Sequence, residues 1–94
     1  MEPLLNNLYT RHPSQIVMYT TEYCGDCLRA KAFFDANQIE YIKVNLEDND
    51  LATEFVIRMN QGHRSVPTII FPDGTILTEP SWEELRQKTG TERA

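Results

Sequence analysis

Ile16-Val17-Met18-Tyr19-Thr20-Thr21-Glu22-Tyr23-Cys24-Gly25-Asp26-Cys27-Leu28-Arg29-Ala30-Lys31-Ala32-Phe33-Phe34 is the stretch that decides the fold. Residues 16–20 form a short run of β-formers and read as a strand. A helix is predicted over about residues 24–37. Cys27, Ala30 and Phe34 fall at i, i+3 and i+7 on one face, with Phe33 beside them, and Asn37 supplies a stop. Two cysteines three apart thus stand where a strand hands over to a helix.

Working outward, residues 40–45 alternate, with Tyr41 apart from Ile42 and Val44, and read as a second strand. Leu51, Ala52, Phe55, Val56 and Met59 make a helical stripe over residues 49–60. Gly62 suits the left-handed position just after that helix. Residues 68–71 read as a third strand entered through Pro67. Pro72-Asp73-Gly74 is a turn signal, and residues 75–78 pair back as a hairpin. Ser81-Trp82-Glu83-Glu84 has capping-box spacing and opens a last helix to about Lys88. The expected class is α/β in the order β-α-β-α-β-β-α. A right-handed crossover makes the first two strands parallel, giving a four-stranded mixed sheet flanked by helices. The pattern leaves the spatial order of the strands open.

In the other direction, residues 1–14 read as a leader with Pro3 and Pro13 as breakers, either frayed or docked as one turn by Leu4, Leu5 and Leu8. The domain proper is expected over residues 15–90, with a tail at 91–94. A chain of 94 residues with 40% hydrophobic content suits one domain. The net charge of −5, with no basic block, disfavours nucleic acid and anionic membranes as partners. Glu2 stands where a secretion signal carries positive charge, and Asn6 and Asn7 interrupt the early leucines, so a cytoplasmic home is expected. In that compartment a C-x-x-C is catalytic or metal-binding rather than structural.

The position of Cys24 favours catalysis. Free N–H groups and the positive end of the helix dipole stabilise an anion there. Thiolates so placed have pKa values lowered from about 8.5 to between about 3.5 and about 7.5. Cys27 follows one turn along, at a separation that suits a disulfide. Cys24 is therefore expected to attack a substrate disulfide, and Cys27 to resolve the mixed disulfide that results. Gly25 removes bulk beside the nucleophile. Asp26 favours the helix dipole but opposes a nearby thiolate, so both residues tune Cys24, with Arg29 and Lys31 offsetting Asp26. A zinc site would need about two more ligands. His12 and His63 are far apart in sequence and read as solvated loop residues, so no metal is expected. Tyr23 reads equally well as a half-buried aromatic or as one wall of a thiol-binding groove. Trp82 reads as a packing residue. Pro67 is tolerated as the first residue of a strand and by itself needs no further role.

Taken together, these segments resemble the glutaredoxins, and within them the mycoredoxins. The resemblance is carried by Tyr19 to Arg29 around Cys24-Gly25-Asp26-Cys27, and by Arg64-Ser65-Val66-Pro67-Thr68. Asp73-Gly74-Thr75, Pro80-Ser81 and Glu54-Phe55-Val56 add to it. It implies a thioredoxin-like, glutaredoxin-type fold with a cis Pro67 beside the cysteines. It implies that the Val66 backbone pairs with a bound thiol in strand fashion and that Arg64 approaches a substrate carboxylate. Tyr23, Arg64, Val66, Pro67 and Ser81 form the expected substrate-binding set. Most glutaredoxins carry Gly-Gly and an acidic residue before the last helix, gripping glutathione. Here Pro80-Ser81 stands in that place, as in mycoredoxins.

The expected activity is a dithiol reductase of mixed disulfides between proteins and a low-molecular-weight thiol. No bound cofactor is expected. The co-substrate would be mycothiol, bacillithiol or glutathione, the enzyme a monomer, and a flavin-dependent disulfide reductase would keep the thiol reduced. One rival is a thioredoxin-like reductase of protein disulfides served directly by thioredoxin reductase. A second is an iron–sulfur binding module, against which Cys27 argues, because such glutaredoxins commonly have one active cysteine.

Overall fold

The computed structural model describes residues 8–90; the expectations placed on Pro3, Leu4, Leu5 and the tail at 91–94 lie outside them. The elements are β1 (Val17–Thr20), α1 (Gly25–Ala36), β2 (Ile42–Asn45), α2 (Asp50–Met59), β3 (Thr68–Ile70), β4 (Ile76–Thr78) and α3 (Trp82–Thr89). The α/β order matches the reading. The sheet order is β2-β1-β3-β4, with β1 and β2 parallel and the β1–β3 and β3–β4 pairs antiparallel.

Every residue of β1 is buried, because this central strand is covered on both faces. Val17 and Tyr19 join Val44, Leu46, Phe55, Val56 and Ile70 beneath α2. Met18 joins Ala30, Phe33, Phe34, Ile69 and Leu85 beneath α1 and α3. The alternation read over residues 40–45 divides as expected: Ile42 of β2 packs with the first cluster, and Tyr41, just ahead of the strand, with the second.

The helix ends follow local chemistry. Asn37 caps α1, and its side-chain amide donates to the Phe33 carbonyl at 2.9 Å. Asn49 accepts from the Ala52 N–H at the start of α2. The end of α2 corrects one expectation: the first left-handed residue is Gln61 (φ 56°), not Gly62. Gly62 (φ 99°) comes second, and its N–H closes on the Ile57 carbonyl at 2.8 Å, the longer bond of a Schellman end. The helix ends at Met59, the last residue of the apolar stripe and one short of the range 49–60 read from the sequence. Ser81 and Glu84 form a complete capping box on α3.

Within the described part of the leader, Leu8 and Tyr9 pack against the α2 side of the core. The Tyr9 ring meets Phe55 edge-on at 5.9 Å. Arg11 donates to the Gly74 carbonyl at 3.4 Å, so this segment lies against the β3–β4 hairpin turn.

Candidate active site

The two cysteines and the residues facing them come from the end of β1, the start of α1 and the loop before β3. Cys24 has extended backbone (φ −141°, ψ 109°) and is the N-cap of α1. Its Sγ accepts the Cys27 N–H at 3.1 Å, so one of the helix's unsatisfied donors points at the sulfur. Cys24 and Cys27 are joined as a disulfide with Cα atoms 5.2 Å apart. Cys24 is half-buried, whereas Cys27 is only 2% exposed. Of the two sulfur-bearing residues, Cys24 is the one open to solvent.

Facing the disulfide, the Val66 carbonyl lies 3.8 Å from Cys24 Sγ, and the Val66–Pro67 bond is cis. The loop carrying Val66 is braced from beneath. Thr68, fully buried, donates through Oγ1 to the Ser65 carbonyl at 2.7 Å and accepts the Asn60 amide at 2.9 Å. Asn60 Oδ1 in turn accepts from Thr78 Oγ1 at 2.9 Å. The end of α2 and strands β3 and β4 thus hold the loop in place. Arg64 is exposed on the same loop and has no ion pair among the described residues.

Tyr23 is 94% exposed, which corrects the reading of it as half-buried. Leu28, just after Cys27, is also exposed, so apolar surface flanks the sulfurs. Gly25 is exposed, with open space where a Cβ would sit. Asp26 is paired with Arg29, an (i, i+3) contact on the first turns of α1. Trp82 packs its ring on Phe33 at 5.5 Å and donates Nε1–H to the Arg29 carbonyl at 2.8 Å, bolting α3 to α1.

At the start of α3, Pro80 lacks an N–H. The Ser81 N–H donates to Glu84 Oε1 at 2.8 Å, and Ser81 Oγ accepts the Glu84 N–H at 3.1 Å. Arg86 holds the Glu83 carboxyl below its ordinary pKa, which keeps a negative charge on this turn. His12 and His63 are both exposed. Among the described residues no group of three or more His, Cys, Asp or Glu side chains could hold a metal, and no helix is long and apolar enough to cross a membrane.

A half-buried cysteine capping a helix, a buried partner one turn on and a cis-proline loop opposite define a dithiol site on a thioredoxin-like fold. The Glutaredoxin family profile matches residues 16–76. A glutaredoxin-named protein of Mycobacterium tuberculosis (strain H37Rv) is 48% identical over 73 residues, covering 78% of this chain and 87% of that one. Mycoredoxin 1 of Corynebacterium glutamicum is 32% identical over 75 residues, covering 80% and 92%. The crystal structure of the glutaredoxin from Methanosarcina mazei superposes with a TM-score of 0.69 at 23% identity, covering 86% and 81%. The chain belongs to the glutaredoxin family, and its relatives include a mycoredoxin. The family consists of thiol–disulfide oxidoreductases that work with a low-molecular-weight thiol and with protein disulfides.

Proposed function

We propose that this protein reduces mixed disulfides between cytoplasmic proteins and a low-molecular-weight thiol other than glutathione. The observation that carries the chemistry is the Cys27 N–H aimed at Cys24 Sγ, 3.1 Å away at the head of α1. In the reduced protein this donor and the helix dipole favour the Cys24 thiolate. The thiolate attacks the small thiol's sulfur, a Cys24–thiol disulfide forms, and the protein's sulfur departs as a thiolate that takes a proton from water. Either a second small thiol attacks the bound thiol's sulfur, which frees Cys24 as a thiolate and leaves the small thiol's own disulfide, or Cys27 attacks the Cys24 sulfur and releases the bound thiol. The Cys27 route leaves the Cys24–Cys27 disulfide, which the reduced co-substrate thiol reopens while being oxidised itself. A flavin-dependent reductase returns that thiol to its reduced form.

In this reading the backbone of Val66, beside Pro67, pairs with the thiol substrate in strand fashion. Tyr23 lines the groove, Arg64 donates hydrogen bonds to the polar end of the thiol and Ser81 borders the far end. Gly25 and Asp26 set access to Cys24 and its acidity. No metal or prosthetic group takes part, and the protein acts as a monomer.

The choice of thiol rests on the start of α3. A γ-glutamyl carboxylate needs unpaired N–H donors there. Pro80 has none, that of Ser81 is taken by Glu84, and Glu83 adds negative charge. Mycothiol or bacillithiol, with sugar-bearing ends, suits this surface better than glutathione, and the likeness to a mycoredoxin tilts toward mycothiol. The test is kcat/KM for one carrier protein loaded with each thiol in turn. Glutathione should be the poorest; equal or better rates with glutathione would overturn the assignment.

A further inference from the structure

Cys24 follows β1, which has unlike neighbours: β3 with Val66 and Pro67 on one side, and β2 on the other. On the β2 side a cleft of about 130 Å³ opens beside both sulfurs, lined among others by Glu22, Lys31, Lys43 and Asn45. Lys31 lies four residues beyond Cys27 on α1, and so on the same face. Lys43 sits between Ile42 and Val44, both turned into the α2-side core, so it points to the α1 side.

The charges around the cleft are unequal. Among the described basic residues, Arg29, Arg86 and Lys88 are ion-paired. Arg11 donates to a carbonyl and Arg58 lies over the Phe55 ring. Lys31, Lys43 and Arg64 are left without an ion pair, and two of these three line one small cleft beside the reactive sulfurs. Among the described residues Glu22 is its single lining carboxylate, so in a chain of net charge −5 the cleft keeps an excess of positive charge. A space of that size beside the sulfurs admits the end of a side chain. Because β2 is a sheet edge, a protein surface can reach it.

We propose that this cleft receives an aspartate or glutamate side chain of the client protein, close to the client's disulfide-linked cysteine. The inference rests on the mixed-disulfide reading above and deepens it. With the acid in the cleft on the β2 side and the small thiol on the Val66 side, the small thiol's sulfur faces Cys24 and the client's sulfur becomes the leaving group. Electrostatic pairing of this kind selects among partners.

The test uses two peptides of one sequence, each joined through its cysteine to β-mercaptoethanol, a neutral thiol. One has Glu beside the cysteine and the other has Gln. The readout is the ratio of their kcat/KM values, in which any general effect of the lysines on Cys24 cancels. The native protein should favour the Glu peptide about three- to tenfold at low salt, as two partly exposed ion pairs would give. Salt should shrink the preference. Lys31→Ala with Lys43→Ala should bring the ratio to about one, and Lys31→Glu with Lys43→Glu should invert it. A native ratio near one with good turnover, or a preference that survives the double alanine variant, would overturn the inference and leave the mixed-disulfide reading standing. A lysine-dependent gain seen only when the Gln peptide carries glutathione would overturn it too, by assigning the carboxylate to the small thiol. Failure to reduce either peptide would remove the mixed-disulfide reading and this inference with it.

Discussion

Replacing Asp26 by Asn should make Cys24 more acidic. Asp26 lies in the first turn of the helix that Cys24 caps, and its side chain is 44% exposed and paired with Arg29. The ion pair does not cancel the effect of the substitution. Removing one negative charge changes the potential at the sulfur by the same amount whether or not a cation sits beside it, provided Arg29 stays in place. At a separation of about 7 Å, and an effective dielectric between about 80 and about 40 for a partly exposed site, the interaction is about 0.6 to 1.2 kcal/mol. That is a drop of about 0.4 to 0.9 pKa units. The reduction potential should rise by up to about 25 mV, because a more stable thiolate favours the reduced form. The assay is thiolate absorbance against pH in a Cys27→Ser background, where Cys24 alone titrates. Arg29→Gln should move the midpoint the opposite way. A midpoint unchanged or raised by Asp26→Asn would refute the reasoning.

Thr68→Val should destabilise the protein by about 1–3 kcal/mol, since it strips a partner from the Asn60 amide and the Ser65 carbonyl inside the fold. The urea midpoint would show this, with Thr68→Ser recovering most of the loss. Asp73 should contribute to stability on the acid side. Its carboxyl is held below the ordinary range chiefly by the Lys88 side chain, and then by Thr75. A depressed folded pKa gives stability present above the unfolded value of about 4 and lost as pH falls toward the folded one. Stability measured from pH 7 down to pH 2 should therefore fall less steeply below about pH 4 in Asp73→Asn than in the native protein.

Much of this architecture was legible from chemistry local in the chain. The apolar run of β1 leading into Cys24, the alternation that separates Tyr41 from Ile42 and Val44, and the Ser81–Glu84 capping box all act within a few residues. They appear in the structure where the sequence places them. What escaped depends on residues distant in sequence or on competing local forces. Strand order is absent from the apolar pattern because β1 would be buried between any two neighbours. At the end of α2, Asn60 bonds to Thr68 and Thr78 across the sheet, and the chain turns at Gln61 before Gly62 is reached. Among the described residues no element packs over Tyr23, which is why it is exposed, and a single aromatic cannot announce that. Lys43 gave one usable signal: a charged residue at the strand position facing α1, opposite two core residues. Joining it to Lys31 required knowing that β2 lies next to β1.

The division of labour between the cysteines tests the central claim most directly. The measurement is the intact mass of the Cys27→Ser and Cys24→Ser proteins after each meets a carrier protein loaded with mycothiol. Cys27→Ser should gain the mass of the small thiol on Cys24 and release the carrier with a free thiol, while Cys24→Ser should gain nothing. A small-thiol adduct on Cys27 in Cys24→Ser, or a carrier-sized adduct on Cys24 in Cys27→Ser, would contradict the account.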